Sequence, residues 1–327
     1  MRYVECGEIR SSVLGFGCGA VMGRVGRVDS LRAMEAAWDA GVTLYDTARS
    51  YGYGEAEGLL GEFLRGKREK AVISTKFGIW PRKQSLLKQV ARPIVRAALR
   101  VMPSARSVVR RGAAGEMQGG QFTPAVLRAS LEESLRQLKS DYIDLLFLHE
   151  GTRTAMQNDD LMAALELVVS EGKVRRAGIS TDAATVAEAI ERGPQVLGAM
   201  QFAANLFDLG VTASTRENPR GLFFVANHPF GGVQGVEATK AILAEMANDA
   251  SLPTEMRGKL SESRPQLFAE VIFGTILRGT GIHALVPSML REENLRANVA
   301  AVESTRFTSD ELELVRQRMI ARSASAR

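Results

Sequence analysis

Cysteine and histidine are scarce in this 327-residue chain, which has two of the first and three of the second. Cys6 and Cys18 cannot build the disulfide framework of a small secreted domain, and no Cys/His spacing reads as a metal site. Long apolar runs are missing too. No stretch approaches the roughly 18 to 20 residues that a bilayer crossing needs, and the opening Met1-Arg2-Tyr3-Val4-Glu5 has no apolar signal core. These absences point to a reduced, cytoplasmic protein with neither membrane segment nor metal. Aromatic residues are missing between Trp80 and Phe122, so the stacking platforms of single-strand nucleic-acid binders are not in prospect there. Acid is absent from one segment: from Pro81 to Arg111 there are nine Lys or Arg and no Asp or Glu. That segment more than accounts for the net charge of +5, so the basic excess is local and nucleic acid is not an expected partner. Arg92, Arg96 and Arg100 would stripe one helical face there. They read as a solvated face, as a lid favouring an anionic substrate, or as a contact for an acidic partner.

Apolar residues are plentiful, at 45% against 24% charged, enough for a large core. Short β-rich runs alternate with longer amphipathic ones. The pattern predicts strands at Val13–Gly17, Thr43–Tyr45, Val72–Thr75, Tyr142–Leu148, Val174–Ile179, Gly198–Gln201, Leu222–Val225 and Ala284–Val286. Helical patterns fall between them at Ser30–Ala40, Glu55–Leu64, Pro124–Leu138, Asp160–Ser170 and Ala183–Glu191. Asp29 is the expected cap of the first helix, and Thr123-Pro124 supplies a cap followed by proline at the first helical position. Eight strands alternating with helices predict a parallel (β/α)8 TIM barrel over residues 1–327 as one domain. The start, Val4 to Val13 around Cys6-Gly7-Glu8, reads as a β-hairpin that could plug the barrel floor. Long loops follow strands three and seven, with insertions at 80–122 and 226–264, lengths typical of lids or binding loops. An extra C-terminal helix is expected at about 308–322.

The chemistry sits where the strands end. Asp46 follows strand two, with Tyr51 five residues later; Lys76 ends strand three and His149 ends strand four. In a barrel these ends converge on one mouth. Singly, each has an ordinary reading: a turn cap, a loop tyrosine, a solvated lysine, a satisfied histidine. Together they form a coherent acid-base set. A neighbouring ammonium lowers the proton affinity of a tyrosine, and a carboxylate beside the lysine keeps it charged. Tyr51 then acts as general acid, Lys76 as its tuner and Asp46 as the lysine's partner, while a neutral His149 orients a substrate carbonyl. Hydride must come from a cofactor, since no side chain donates it.

Asp46, Tyr51, Lys76 and His149, set in GVTLYDTARSYGYGEAEGLLGEFL, VISTKFG and LKSDYIDLLFLH, resemble the aldo-keto reductases. GKVRRAGIS and VPSMLREENLRANV resemble later landmarks of that family, and the likeness runs from Leu14 to about Val302. The resemblance implies NADPH-dependent reduction of an aldehyde or ketone, or the reverse, with NADPH extended across the barrel mouth; NADH is the less expected cofactor. No G-x-G-x-x-G accompanies it. By resemblance, Ser180 and Gln201 hold the nicotinamide carboxamide, and Pro229, Phe230 and Gly231 belong to a loop over the pyrophosphate. Ser288, Arg291 and Asn298 fall in the region that grips the 2′-phosphate and adenine. Arg291 suits a phosphate, because guanidinium binds it bidentately. Trp80 is a candidate wall of the substrate pocket. The chain departs from the family pattern at Thr181, where asparagine is frequent, and at Ala297, where an acid is frequent. Asn227 stands where an aromatic often lies under the nicotinamide, and Phe202 or Phe230 could fill that gap. A small carbonyl or alcohol is the expected partner, with the chain a monomer or weak homo-oligomer. Two other readings stay open: a nicotinamide-binding regulatory subunit with little turnover, and a barrel hydrolase or lyase using Asp46 and Glu150.

Overall fold

Alternation along the strands decides the architecture. In the computed structural model, which describes residues 1–81, 117–207, 211–218, 220–262, 264 and 266–325, the first two strands are β1 (Tyr3–Cys6) and β2 (Ile9–Ser12), an antiparallel hairpin. Gly7 turns it with φ +58°, a value glycine adopts without steric cost. Next come β3 (Gly15–Gly17), β4 (Leu44–Asp46) and β5 (Val72–Phe77), then the short β6 (Trp80–Pro81) and β7 (Met117–Gln118). The series ends with β8 (Ile143–His149), β9 (Val174–Ser180), β10 (Leu197–Ala203), β11 (Phe223–Asn227) and β12 (Ala284–Val286). Eight of these form one parallel sheet in the order β3, β4, β5, β8, β9, β10, β11, β12. The sheet closes on itself: the Leu285 N–H donates to the Val13 carbonyl at 2.9 Å, and Leu14 bridges Leu285. All eight strands read from the sequence are present, with ends shifted by a few residues.

Side chains on successive strand positions point to opposite faces. Leu44, Val72, Leu145, Phe147, Phe223, Val225 and Val286 pack together inside the barrel. Their neighbours Tyr45, Ile73, Leu146, Leu148, Phe224, Ala226 and Leu285 face the helices. Ile9 of the hairpin, 1% exposed, joins the inner group and closes the floor. Helices cover the outside by their own period. In Pro124–Leu138, Leu127, Leu131, Leu135 and Leu138 form one buried stripe. Thr123 caps that helix by accepting from the Val126 N–H at 3.3 Å, an interaction worth about 1 kcal/mol.

The sequence reading needs correction at several places. The first helix starts at Arg27, with Gly26 at the cap position, and Asp29 lies in the first turn rather than capping it. Its charge there still favours the helix N-terminus. The insertion after β11 holds the helices Gly232–Asn248 and Thr254–Ser261 before Leu267–Gly279. In the other long segment β6 pairs antiparallel with β7, and the basic stripe Arg92, Arg96 and Arg100 lies outside the described residues. The last helix is Ser309–Ser325. Among the described residues no helix is long and apolar enough to cross a membrane.

Candidate active site

At the upper end of the barrel the inward positions change from apolar to polar. The same alternation that places Leu44, Val72, Phe147 and Val225 inside places Asp46, Lys76, His149 and Asn227 two or four residues further on each strand. Ser180 ends the inward row of β9, and Gln201 lies on that of β10, one step before Ala203. The site is thus a continuation of the core pattern with the residue types exchanged.

At its centre is a buried ion pair. Lys76 Nζ donates to both Asp46 oxygens at 2.8 Å and to the Thr47 carbonyl at 2.9 Å. The lysine is 1% exposed and the aspartate 4%. Asp46 Oδ1 also accepts from Ser74 Oγ at 2.6 Å and from Gln201 Nε2 at 2.8 Å, so the carboxylate is fully served. Desolvation alone would lower the lysine's proton affinity, but the Asp46 charge outweighs it and Lys76 titrates above its ordinary value. The ammonium is permanent at neutral pH.

Tyr51 sits on the loop after β4, its ring centre 5.0 Å from Lys76 Nζ. Its ring meets His149 edge-on, with centroids 6.0 Å apart. Burial raises the Tyr51 hydroxyl above its ordinary value; Lys76 pulls it down by charge and hydrogen bonding without cancelling the burial. The net direction is therefore opposite to the one expected from the ammonium alone. Tyr51 holds its proton firmly, with a cation beside it. His149 is pushed down to about 3 by burial and by the Lys76 charge, and its buried Nδ1 has no partner. It is a neutral imidazole.

Tyr51, Lys76 and His149 open onto one cleft of about 560 Å3. Ser180, Thr181, Asn227, His228, Glu150 and Thr152 also line it. Glu150 and His228, each directly after a strand end, have left-handed backbones with φ +54° and +51°. Such conformations are rare for residues with a side chain and gather at functional sites. The Asn227 Oδ1 is buried without a partner, an acceptor left for something that enters the cleft.

The remaining sequence candidates are scattered around this centre. Ser180 lines the cleft and donates to Gln201 Oε1 at 2.8 Å. Gln201 is 0% exposed, with its amide shared between Ser180 and Asp46; it lies beneath the cleft instead of facing it. Pro229 is buried, and Phe230 stacks on Phe268 at 5.7 Å and tilts onto Phe273 at 5.3 Å. Phe202 is 1% exposed in the outer core. Neither phenyl replaces an aromatic at Asn227. Gly231, with φ +64°, precedes the helix Gly232–Asn248, a conformation that favours glycine there. Ser288 and Arg291 are exposed, and Arg291 pairs with Glu293 at 3.5 Å. Asn298 is 3% exposed with an unpaired Nδ2. Trp80 is half-buried in β6, which packs beside the Tyr51–Gly54 turn, outside the lining of the cleft. Thr152 and His228 were not among the expected site residues; Glu150 entered only through the hydrolase or lyase reading and Asn227 only as a departure from the family pattern, although the inward rows of β8 and β11 lead to this end of the barrel.

A model of the Aldo/keto reductase family matches residues 13–241. A D-threo-aldose 1-dehydrogenase from a Pseudomonas species is 36% identical over 153 residues, which are 45% of this chain and 42% of that enzyme. The match therefore spans less than half of that relative's length. Among solved structures, a holo-form aldo-keto reductase from Bacillus halodurans superposes with a TM-score of 0.68 at 22% identity, covering 97% of this chain and 96% of the other. An aldo/keto reductase from Klebsiella pneumoniae in complex with NADP and acetate gives 0.65 at 22% identity, covering 96% and 94%.

Proposed function

The chain belongs to the aldo/keto reductase family, and on that premise we propose that it is an NADPH-dependent oxidoreductase converting an aldehyde or ketone to an alcohol, or the reverse. One observation carries the reading: a lysine ammonium, held on both oxygens of Asp46 at 2.8 Å, stands beside a tyrosine in a cleft shared with a neutral histidine. A carbonyl oxygen entering the cleft accepts hydrogen bonds from the Tyr51 hydroxyl and from His149. As the carbonyl carbon is reduced, negative charge builds on that oxygen and Tyr51 delivers its proton there. Lys76 stabilises the phenolate that remains, and Asp46 keeps Lys76 charged and in place. Because His149 is uncharged, it orients the oxygen without competing for the proton-donor role.

The residues present suit a nicotinamide cofactor, which when bound supplies the hydride. Ser180 lines the cleft and the Asn227 Oδ1 there has no partner, which suits an amide. Gly231 and Gly232, both left-handed, lead into a 17-residue helix whose N-terminal end is suited to a pyrophosphate. Ser288 and the exposed Arg291 suit a 2′-phosphate, which favours NADPH over NADH. Gln201 supports from below by fixing Ser180 and Asp46. The Klebsiella relative, crystallised with NADP, agrees with this choice. We read all 327 residues as one barrel unit that closes without a partner, acting in the cytoplasm as a monomer or weak homo-oligomer. The insertions 80–122 and 226–264 select the substrate, while Trp80, beside the Tyr51–Gly54 turn, stands outside the cleft itself.

The test is direct. NADPH absorbance should fall on mixing with a reactive aldehyde, and Tyr51→Phe should lower kcat by about 10²- to 10⁴-fold while still quenching on NADPH binding. Near-full turnover in Tyr51→Phe would refute the mechanism.

A further inference from the structure

Asp46 and His149 end their strands and Lys76 is the last residue but one of β5, so the ladder of the barrel fixes them. Tyr51 does not. It lies on the loop Thr47–Glu55, whose last ladder-like bond is Thr47 N–H to the Ser74 carbonyl at 2.8 Å. Beyond it the Tyr51–Gly54 turn includes three left-handed residues, Gly52 and Tyr53 at φ +59° and Gly54 at φ +91°. A proton donor on such a loop needs another anchor to keep it beside Lys76.

Behind the site, on the helix side of the barrel, a buried carboxylate bridges the two elements concerned. Glu57, in the first turn of the helix Ala56–Phe63, is 1% exposed. Its Oε1 accepts from Thr75 Oγ1 at 2.7 Å, and its Oε2 accepts from Arg49 Nη1 at 2.7 Å. Thr75 is the outward-facing neighbour of Lys76 on β5, and Arg49 is two residues before Tyr51. Arg49 is mostly buried and reaches a second carboxylate, Glu133, at 4.0 Å. One side chain thus ties the tyrosine loop to the lysine strand without entering the cleft.

We propose that Arg49, Glu57 and Thr75 are positioning residues that hold Tyr51 at its working distance from Lys76. The proposal rests on the reading of Tyr51 as proton donor. Misplacement of about 1 Å is enough to cost roughly 100-fold in rate, so a loosened loop shows first in kcat. It also has a titration signature. Tyr51 is faced by Lys76, Asp46, Cys18 and His149, and of the charged groups only Lys76 lowers its value. When the loop drifts from Lys76 the Tyr51 value rises further, and the alkaline limb of carbonyl reduction moves to higher pH.

The experiment compares Arg49→Ala, Arg49→Lys, Glu57→Gln and the near-isosteric Thr75→Val with the full-length parent, using NADPH and glyceraldehyde. We expect kcat to fall about 10- to 100-fold in Arg49→Ala and Glu57→Gln, with NADPH affinity within about threefold of the parent. Arg49→Lys should recover most of the loss, and the alkaline limb should shift upward in the weakened variants. Thr75→Val, the gentlest change, keeps the test valid if Glu57→Gln folds poorly. Folded variants with parental kcat and an unmoved pH profile would overturn the proposal, as would a fall in thermal stability alone. A parent that binds NADPH but reduces no aldehyde would overturn the proposed function first, and the positioning role with it.

Discussion

Replacing Lys76 by methionine keeps the length and apolar stem of the side chain and deletes only the charge. The ammonium is 2.8 Å from each Asp46 oxygen. Two unit charges at that distance attract by about 6 kcal/mol at an effective dielectric of about 20. Desolvation of both groups offsets part of this in the native protein, but removing one partner leaves the other buried and uncompensated, which costs about 3–5 kcal/mol. Ser74 and Gln201 still donate to Asp46, which places the expected loss for Lys76→Met near the lower end, about 3 kcal/mol. Adding Asp46→Asn removes the stranded charge and should return roughly half of that stability. Activity should not follow. Without Lys76 nothing lowers the Tyr51 hydroxyl or stabilises its phenolate, so kcat in both the single and the double variant should be down by about 10²- to 10⁴-fold. Urea denaturation at pH 7 gives the first quantity and NADPH absorbance the second. A Lys76→Met protein with parental stability, or a double variant whose turnover recovers together with its stability, would show that the ion pair is not organised as described.

Two further outcomes follow from the same geometry. His149 has a folded-state value of about 3, below its ordinary 6.5, so the folded protein binds fewer protons at this site than the unfolded chain. Its share of the stability is full above pH 6.5 and declines as the pH falls towards 3; the stability difference between the parent and His149→Gln should shrink over that window, and an unchanged difference would contradict a neutral, buried imidazole. The exposed Arg291 should matter to the 2′-phosphate alone: Arg291→Ala is expected to weaken NADPH binding about 10- to 100-fold and leave NADH nearly unchanged in a fluorescence titration, whereas equal losses for both would remove its assigned partner.

Much of this was legible in the residues alone because strand alternation is a local property. Once Leu145-Leu146-Phe147-Leu148-His149 reads as a strand with Phe147 inward, His149 must also face inward, and the same count carries Val72 to Lys76 and Leu44 to Asp46. The eight strands, the inward tetrad partners and the cap at Thr123 follow from spacings of two to four residues. What the sequence could not determine were quantities summed over distant elements. Whether burial or the ammonium wins at Tyr51 depends on how many groups surround the hydroxyl, and the count came out for burial. Gln201 went under the cleft because Asp46, 155 residues away, takes its amide. Phe230 turned to Phe268 and Phe273, leaving Asn227 facing the cleft without an aromatic. Glu57 acquired its role only when Thr75 and Arg49 met on the outer face of β5. Spacing along the chain chose which side chains reach the barrel mouth, and desolvation by the packed neighbours decided what those side chains can do there.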